Sequence, residues 1–156
     1  MNIGIIYYSQ TGNTRSVAEK LQQRIASAGH TAALEEITIS GSTPAQPGKF
    51  ELKNIPSPSG YDAVIFGAPV QAFSLNPVMK AYMEQLPDMT GKKTACFVTK
   101  QIPILWTGGT GAIARMKNAC ESRGAKVAGT GIVVWAGKKR EQSIKRCVEE
   151  ISAFFG

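Results

Sequence analysis

The sequence is poor in the groups that build metal centres and hydrolytic sites. It has one histidine, His30, and three cysteines at positions 96, 120 and 147, with no C-x-x-C pair among them. Metal ligation is therefore disfavoured, because zinc sites need several His or Cys ligands. No Ser–His–Asp set can be assembled around His30. Odd, scattered cysteines without a secretion signal are typical of buried thiols in a reducing compartment, which predicts a cytoplasmic protein.

Long apolar runs are also missing. No stretch approaches the roughly 20 residues that a transmembrane helix needs, and no cationic segment followed by an apolar one opens the chain. We therefore expect no membrane association. The length of 156 residues, with 43% hydrophobic and 19% charged residues, is ordinary for one globular domain, which we expect to span 1–156. The sequence leaves the oligomeric state open.

Acidic residues are scarce in the second half of the chain. From Lys92 to Arg146, twelve Lys and Arg residues accompany only Glu121 and Glu141, and the formal net charge of the chain is +7. Such a basic half favours acidic protein partners or anionic small molecules. Nucleic acid is not expected as a partner, because neither interleaved aromatic residues nor a recognition module is present.

What the sequence does contain is a regular alternation of apolar runs and amphipathic stretches. Apolar runs at 3–8, 31–37, 61–67, 94–99 and 127–135 predict five buried strands, and helical spacing follows all but the second. This alternation predicts an α/β fold with a parallel sheet covered by helices on both faces. The segment 38–60 is rich in Pro, Gly and Ser, which predicts a long loop rather than a helix.

A short polar loop, Ser9-Gln10-Thr11-Gly12-Asn13-Thr14, joins the first strand to the first helix. The first amides of a helix have no internal partner and carry partial positive charge, so a loop in this position binds phosphate. Its hydroxyls add donors, and its glycine lets the backbone close tightly. It lacks both Gly-Lys-Ser/Thr and G-x-G-x-x-G, which favours a single terminal phosphate over a nucleoside triphosphate or a pyrophosphate. A plain N-capped turn is the alternative.

Residues 8–14 resemble the phosphate loop of the flavodoxin family, S/T-x-T-G-x-T, and weaker similarities follow at 66–70 and 107–109. The resemblance implies a flavodoxin-like fold, in which a doubly wound five-stranded parallel sheet has the order 2-1-3-4-5. It also implies that the protein binds flavin mononucleotide (FMN) beyond the carboxyl ends of strands one and three.

By the same resemblance, a second loop would lie along one side of the flavin ring. Its backbone would pair with the polar edge of the ring, while Val70 and Phe73 would cover apolar area. Phe73 as a packed loop anchor is the alternative. The residues assigned to this loop are Pro69, Val70, Gln71, Ala72 and Phe73.

A third loop would complete the site from the end of the fourth strand. The family often carries an aromatic residue there, so Trp106 is expected to stack on the flavin, with packing in the core or a lid as the alternative. Gly108 and Gly109 allow close backbone approach. Thr99 is expected to line the site at the end of the strand.

One position departs from the family pattern. The second loop of flavodoxins commonly carries an aromatic residue followed by Gly, and alignment on Gly67 places Gln71 and Ala72 there. Ala makes a positive φ costlier than Gly does, by about 1 kcal/mol or more. We therefore expect the half-reduced flavin to be less stabilised than in an ordinary flavodoxin.

Three functions are compatible with these features. The leading one is an electron-transfer protein whose redox partner presents an acidic docking surface. The second is an FMN-dependent reductase that takes hydride from NADH or NADPH and passes electrons to a quinone-type small-molecule acceptor. The third is a flavodoxin-like interaction module that binds flavin weakly or not at all. The basic charge disfavours the usual carrier, since flavodoxins are typically acidic, and the intact phosphate loop disfavours the third function.

Overall fold

The computed structural model describes residues 1–42, 45–101 and 108–155. Along the chain its elements are β1 (Asn2–Tyr7), α1 (Asn13–Ser27), β2 (Thr31–Glu36), β3 (Thr38–Gly41), β4 (Phe50–Asn54), β5 (Ala63–Gln71), β6 (Ser74–Leu75), α2 (Pro77–Glu84), β7 (Lys93–Lys100), α3 (Gly109–Glu121), β8 (Lys126–Val134) and α4 (Arg140–Ala153).

The central sheet has the order β2-β1-β5-β7-β8, and every neighbouring pair in it is parallel. This confirms the predicted doubly wound order. The side chains of β1 alternate between two cores, because successive residues of a strand face opposite sides of a sheet. Ile3 and Ile5 pack with α1 and α4, whereas Ile6, and Tyr8 directly after the strand, pack with α2 and α3. None of the described helices is long and apolar enough to cross a membrane.

The prediction of a loop over 38–60 is wrong for much of that segment. β3 and β4 pair antiparallel as a hairpin, which occupies the crossover between β2 and β5. Ile39, Phe50 and Leu52 are partly buried and pack against the core on the α2–α3 side. The hairpin therefore covers apolar area that a crossover helix would cover, and it does so without placing a proline inside either strand.

Two element boundaries differ from the prediction in ways that affect the site. β5 continues to Gln71 and returns through β6, so a tight hairpin replaces the predicted second loop. α3 begins at Gly109, a residue that the sequence prediction placed in the third loop. Since β1, β5 and β7 are parallel and in register, their carboxyl ends lie at one edge of the sheet. β1 separates β2 from β5, so the winding direction of the fold changes there.

Candidate cofactor site

The loop between β1 and α1 is held by the side chain of Ser9. The Ser9 Oγ accepts hydrogen bonds from the amides of Gly12, at 3.1 Å, and Arg15, at 3.2 Å. Gly12 is the N-cap of α1 and has a φ of 95°, a left-handed conformation that glycine adopts with little cost. The glycine and the serine thus fix the curvature of the loop before α1 begins at Asn13.

Several donors at this end of α1 are left for a ligand. Within the described residues, the amides of Gln10, Thr11, Asn13 and Thr14 make no hydrogen bond. The first turn of α1 contains no acidic residue. Partial positive charge is therefore concentrated at a point that the chain itself does not neutralise, and this donor set fits the terminal phosphate of FMN.

The hydroxyls of Thr14 and Thr99 meet behind this loop. Their oxygens are 2.9 Å apart across a sequence separation of 85 residues, and the two residues are only 1% and 3% exposed. Thr14 had been expected to lie in the loop itself, but its side chain is directed inward against β7. The pair has two hydroxyl protons and one mutual hydrogen bond, so one proton remains for another acceptor.

The second loop is a two-residue turn between β5 and β6. Gln71 pairs with Ser74, and the residues between them, Ala72 and Phe73, have φ values of 50° and 62°. Two left-handed residues in succession are characteristic of a type I′ turn, where Asn-Gly is the usual sequence. Residues with a Cβ cost roughly 1–2 kcal/mol each in this conformation. The turn is therefore strained.

The side chains of the second loop point in different directions. Phe73 is 58% exposed, so a large apolar surface stands at the rim of the site. Val70 is half-buried and packs against the core on the α2–α3 side. The Gln71 amide donates to the carbonyl of Ala45 and accepts from the side chain of Asn76 at 2.8 Å. Of the two apolar residues predicted to cover the flavin, Phe73 is exposed, whereas Val70 packs against the core.

The second and third loops meet at Gly108, the N-cap of α3. Gly108 has a φ of 98°, and a Cβ there would lie 2.2 Å from the carbonyl oxygen of Phe73. A side chain is therefore excluded for two reasons, since both the backbone conformation and the available space require glycine. Gly109 is buried beside Lys100, which lies at the end of β7 and to which sequence reasoning assigned no role. Trp106, the expected stacking residue, lies outside the described residues.

The cysteines take no part in this arrangement. Cys96, Cys120 and Cys147 are free and buried. Burial raises the pKa of Cys147 to about 12, and a hydrogen bond with Cys120 together with burial raises the pKa of Cys96, so neither is a thiolate at neutral pH. The described part of the chain contains no cluster of His, Cys, Asp and Glu that could hold a metal ion.

Comparison with known proteins places this geometry in a family. The fold is similar to that of flavodoxin 2 from Bacillus cereus in its oxidised state, with a TM-score of 0.72 and 20% identity over 99% of this chain and 98% of that one. It is also similar to the two-electron reduced flavodoxin of Megasphaera elsdenii, with a TM-score of 0.64 and 21% identity over 95% and 98% of the two chains.

A third similar structure is the Trp repressor binding protein of Bacillus subtilis, at a TM-score of 0.68 and 18% identity over 97% of this chain and 99% of that one. At such identities these likenesses establish the fold. The family itself is established from the sequence, because the model of the flavodoxin domain matches residues 4–104, well over half of the chain. The chain therefore belongs to the flavodoxin family, and FMN is its cofactor.

Proposed function

We propose that this protein carries electrons to or from a protein partner. The proposal is based on two features of the candidate site taken together. Unpaired amides at the start of α1 are available to bind a phosphate, and the strained turn at Ala72 and Phe73 lies at the surface. FMN, when bound, supplies reversible uptake and release of electrons. A cofactor anchored through its phosphate and exposed at its ring is suited to transfer between proteins.

Different residues of the chain would bind the phosphate and the ring of FMN. The unpaired amides of the loop between β1 and α1, together with the hydroxyls of Ser9, Thr11 and Thr14, would bind the phosphate. The backbone at Phe73, packed on Gly108, would fix one wall of the ring site. The Phe73 side chain would exclude water from the apolar part of the ring. The basic charge favours a partner with an acidic docking surface, and three free buried cysteines support a cytoplasmic location.

A second candidate function is an FMN-dependent reductase that accepts hydride from NADH or NADPH and reduces quinones. Two observations favour it. The net charge of +7 attracts anionic nicotinamide cofactors, and Ala72 occupies a left-handed position where flavodoxins commonly have glycine. If Ala72 restricts the backbone change that stabilises the half-reduced flavin, the flavin would transfer two electrons at a time more readily than one.

Flavin titration followed by anaerobic reduction separates these functions. The carrier should bind FMN much more tightly than riboflavin, be reduced by dithionite, and react only slowly with NADH or NADPH unless a reductase is added. Fast direct reduction by either nicotinamide cofactor would favour the reductase. Failure to retain FMN would instead favour the third function, an interaction module that binds flavin weakly or not at all.

A further inference from the structure

β8 is the outermost strand of the sheet, and in the described part of the chain its far edge pairs with no other strand. The direction of its amides follows from two hydrogen bonds. The amide of Trp135 donates to Lys100 on β7, at 2.8 Å, whereas the amide of Val134 donates outward to the Ser143 Oγ, at 2.9 Å. Since these directions alternate along a strand, the peptide groups of Thr130 and Ile132 also face outward.

A groove of about 820 Å³ runs along this open edge, between β8 and α4. Gly131 forms part of its floor, and a Cβ there would lie 2.7 Å from the Cys147 Sγ. The glycine therefore lets α4 pack tightly beneath β8 without a side chain filling the groove. An exposed strand edge beside an open groove is the geometry to which an extended segment adds as another strand.

The charges around the groove determine what kind of segment it can accept. Lys138, Lys139 and Arg146 line it, together with Lys100, whereas Glu150 is the acidic lining residue. The Glu150 carboxylate and the Arg146 guanidinium pair at 3.0 Å and offset each other, so Lys138 and Lys139 give the groove its positive charge. The groove is therefore cationic, which disfavours a second copy of this chain, because the same positive charges would face each other. Negatively charged side chains would complement it.

We propose that the groove along β8 is the docking site for an extended, acidic segment of a partner protein, which adds to the sheet edge through the peptide groups of Thr130 and Ile132. The groove reaches Lys100 and Thr110, at the end of β7 and the start of α3, so a docked partner would border the cofactor site. That the partner is a redox partner rests on the function proposed above, whereas the docking itself does not.

The test uses the intact protein, with and without FMN, and a synthetic peptide of about ten residues in which Glu and Val alternate. Binding should slow hydrogen exchange at the amides of Thr130 and Ile132 by at least about tenfold and leave that of Ile5, in the centre of the sheet, unchanged. The affinity should fall at least about tenfold between about 50 and 300 mM salt. A peptide in which Lys replaces Glu should not bind.

Matched variants distinguish charge from strand addition. Lys138→Glu combined with Lys139→Glu should abolish binding, whereas the same charge change at the exposed residues Lys20 and Lys49, which do not line the groove, should weaken it at most about twofold. A Glu-Val peptide in which every second amide is N-methylated should not bind, because it cannot form the ladder of backbone hydrogen bonds with β8. Equal binding of that peptide would overturn the proposal.

Three other outcomes would also overturn the proposal. Absence of peptide binding would mean that the cations only shield the edge from association. Dimers of the free protein with protected Thr130 and Ile132 amides would assign the edge to a second copy of the chain. Displacement of the peptide by NADPH, with NADPH binding lost in the Lys138 and Lys139 variant, would assign the groove to a small anion. Loss of FMN binding or of electron transfer with intact peptide binding would refute only the proposed function.

Discussion

The hydroxyl oxygens of Thr14, in the first turn of α1, and Thr99, near the end of β7, lie 2.9 Å apart in the interior of the protein. Each hydroxyl can donate one hydrogen bond and accept others. If Thr99 donates to Thr14, the proton of Thr14 remains available for the phosphate. Thr99 then acts as a positioning residue, which sets the donor direction of Thr14 without touching the cofactor's phosphate.

Replacement of Thr99 by Val should therefore weaken FMN binding about tenfold and leave riboflavin binding unchanged, because a hydrogen bond to a charged group is worth roughly 1.5–3 kcal/mol and part of it depends on Thr99. Fluorescence titration with both flavins measures the difference. Thr99→Ser keeps the hydroxyl and should restore the preference for FMN over riboflavin. Equal losses for FMN and riboflavin would instead indicate a packing defect at the end of β7.

Thr11 and Ser9 should separate phosphate binding from loop stability. Thr11 is exposed, so Thr11→Ala should cost FMN binding roughly 1.5–3 kcal/mol while the unfolding free energy of the FMN-free protein stays the same. Ser9→Ala also removes the acceptor of the Gly12 and Arg15 amides and should lower that unfolding free energy by about 0.5–2 kcal/mol. Urea unfolding and flavin titration of both variants provide the comparison. Unchanged FMN affinity in Thr11→Ala would contradict the assignment of the phosphate loop.

The left-handed conformation of Ala72 leads to a stability prediction. Ala72→Gly should raise the unfolding free energy by about 1 kcal/mol, because glycine adopts this φ without steric cost. It should also raise the yield of half-reduced flavin on stepwise reduction, measured by absorption and electron paramagnetic resonance. Ser74→Gly, a neighbouring change outside the left-handed region, should destabilise the protein instead. A less stable Ala72→Gly variant would refute the strained turn.

Tyr61 should make stability depend on alkaline pH. Burial and a hydrogen bond of its hydroxyl to Glu35, 2.6 Å long, raise its pKa from 10.0 to about 12. The folded protein thus holds the phenol proton more tightly than the unfolded chain does, and this contribution is complete below about pH 10 and is lost as the pH rises through about 12. The unfolding free energies of the native protein and Tyr61→Phe should therefore converge over that interval. A difference in unfolding free energy between the two proteins that does not change with pH would contradict the raised pKa of Tyr61.

The sequence was sufficient to determine the central sheet and the loop that joins β1 to α1. The apolar runs of β1, β5 and β7 are buried on both faces, and only a central parallel strand requires such continuity. The start of α2 is also set by local chemistry, because the Asn76 side chain accepts hydrogen bonds from the amides of Val78 and Met79 and Pro77 occupies the first helical position. Local chemistry of this kind is visible in a few consecutive residues.

Tertiary structure decided the features that depend on distant partners. The β3–β4 hairpin forms over a segment rich in proline because Ile39, Phe50 and Leu52 find a core to cover, which short-range propensity does not encode. Ala72 and Phe73 accept a left-handed turn because the pairing of β5 with β6 requires it and Gly108 leaves room for their backbone. Thr14 turns inward because β7 brings Thr99 to it from 85 residues away. In each case the energy comes from a contact that exists only once the chain has folded.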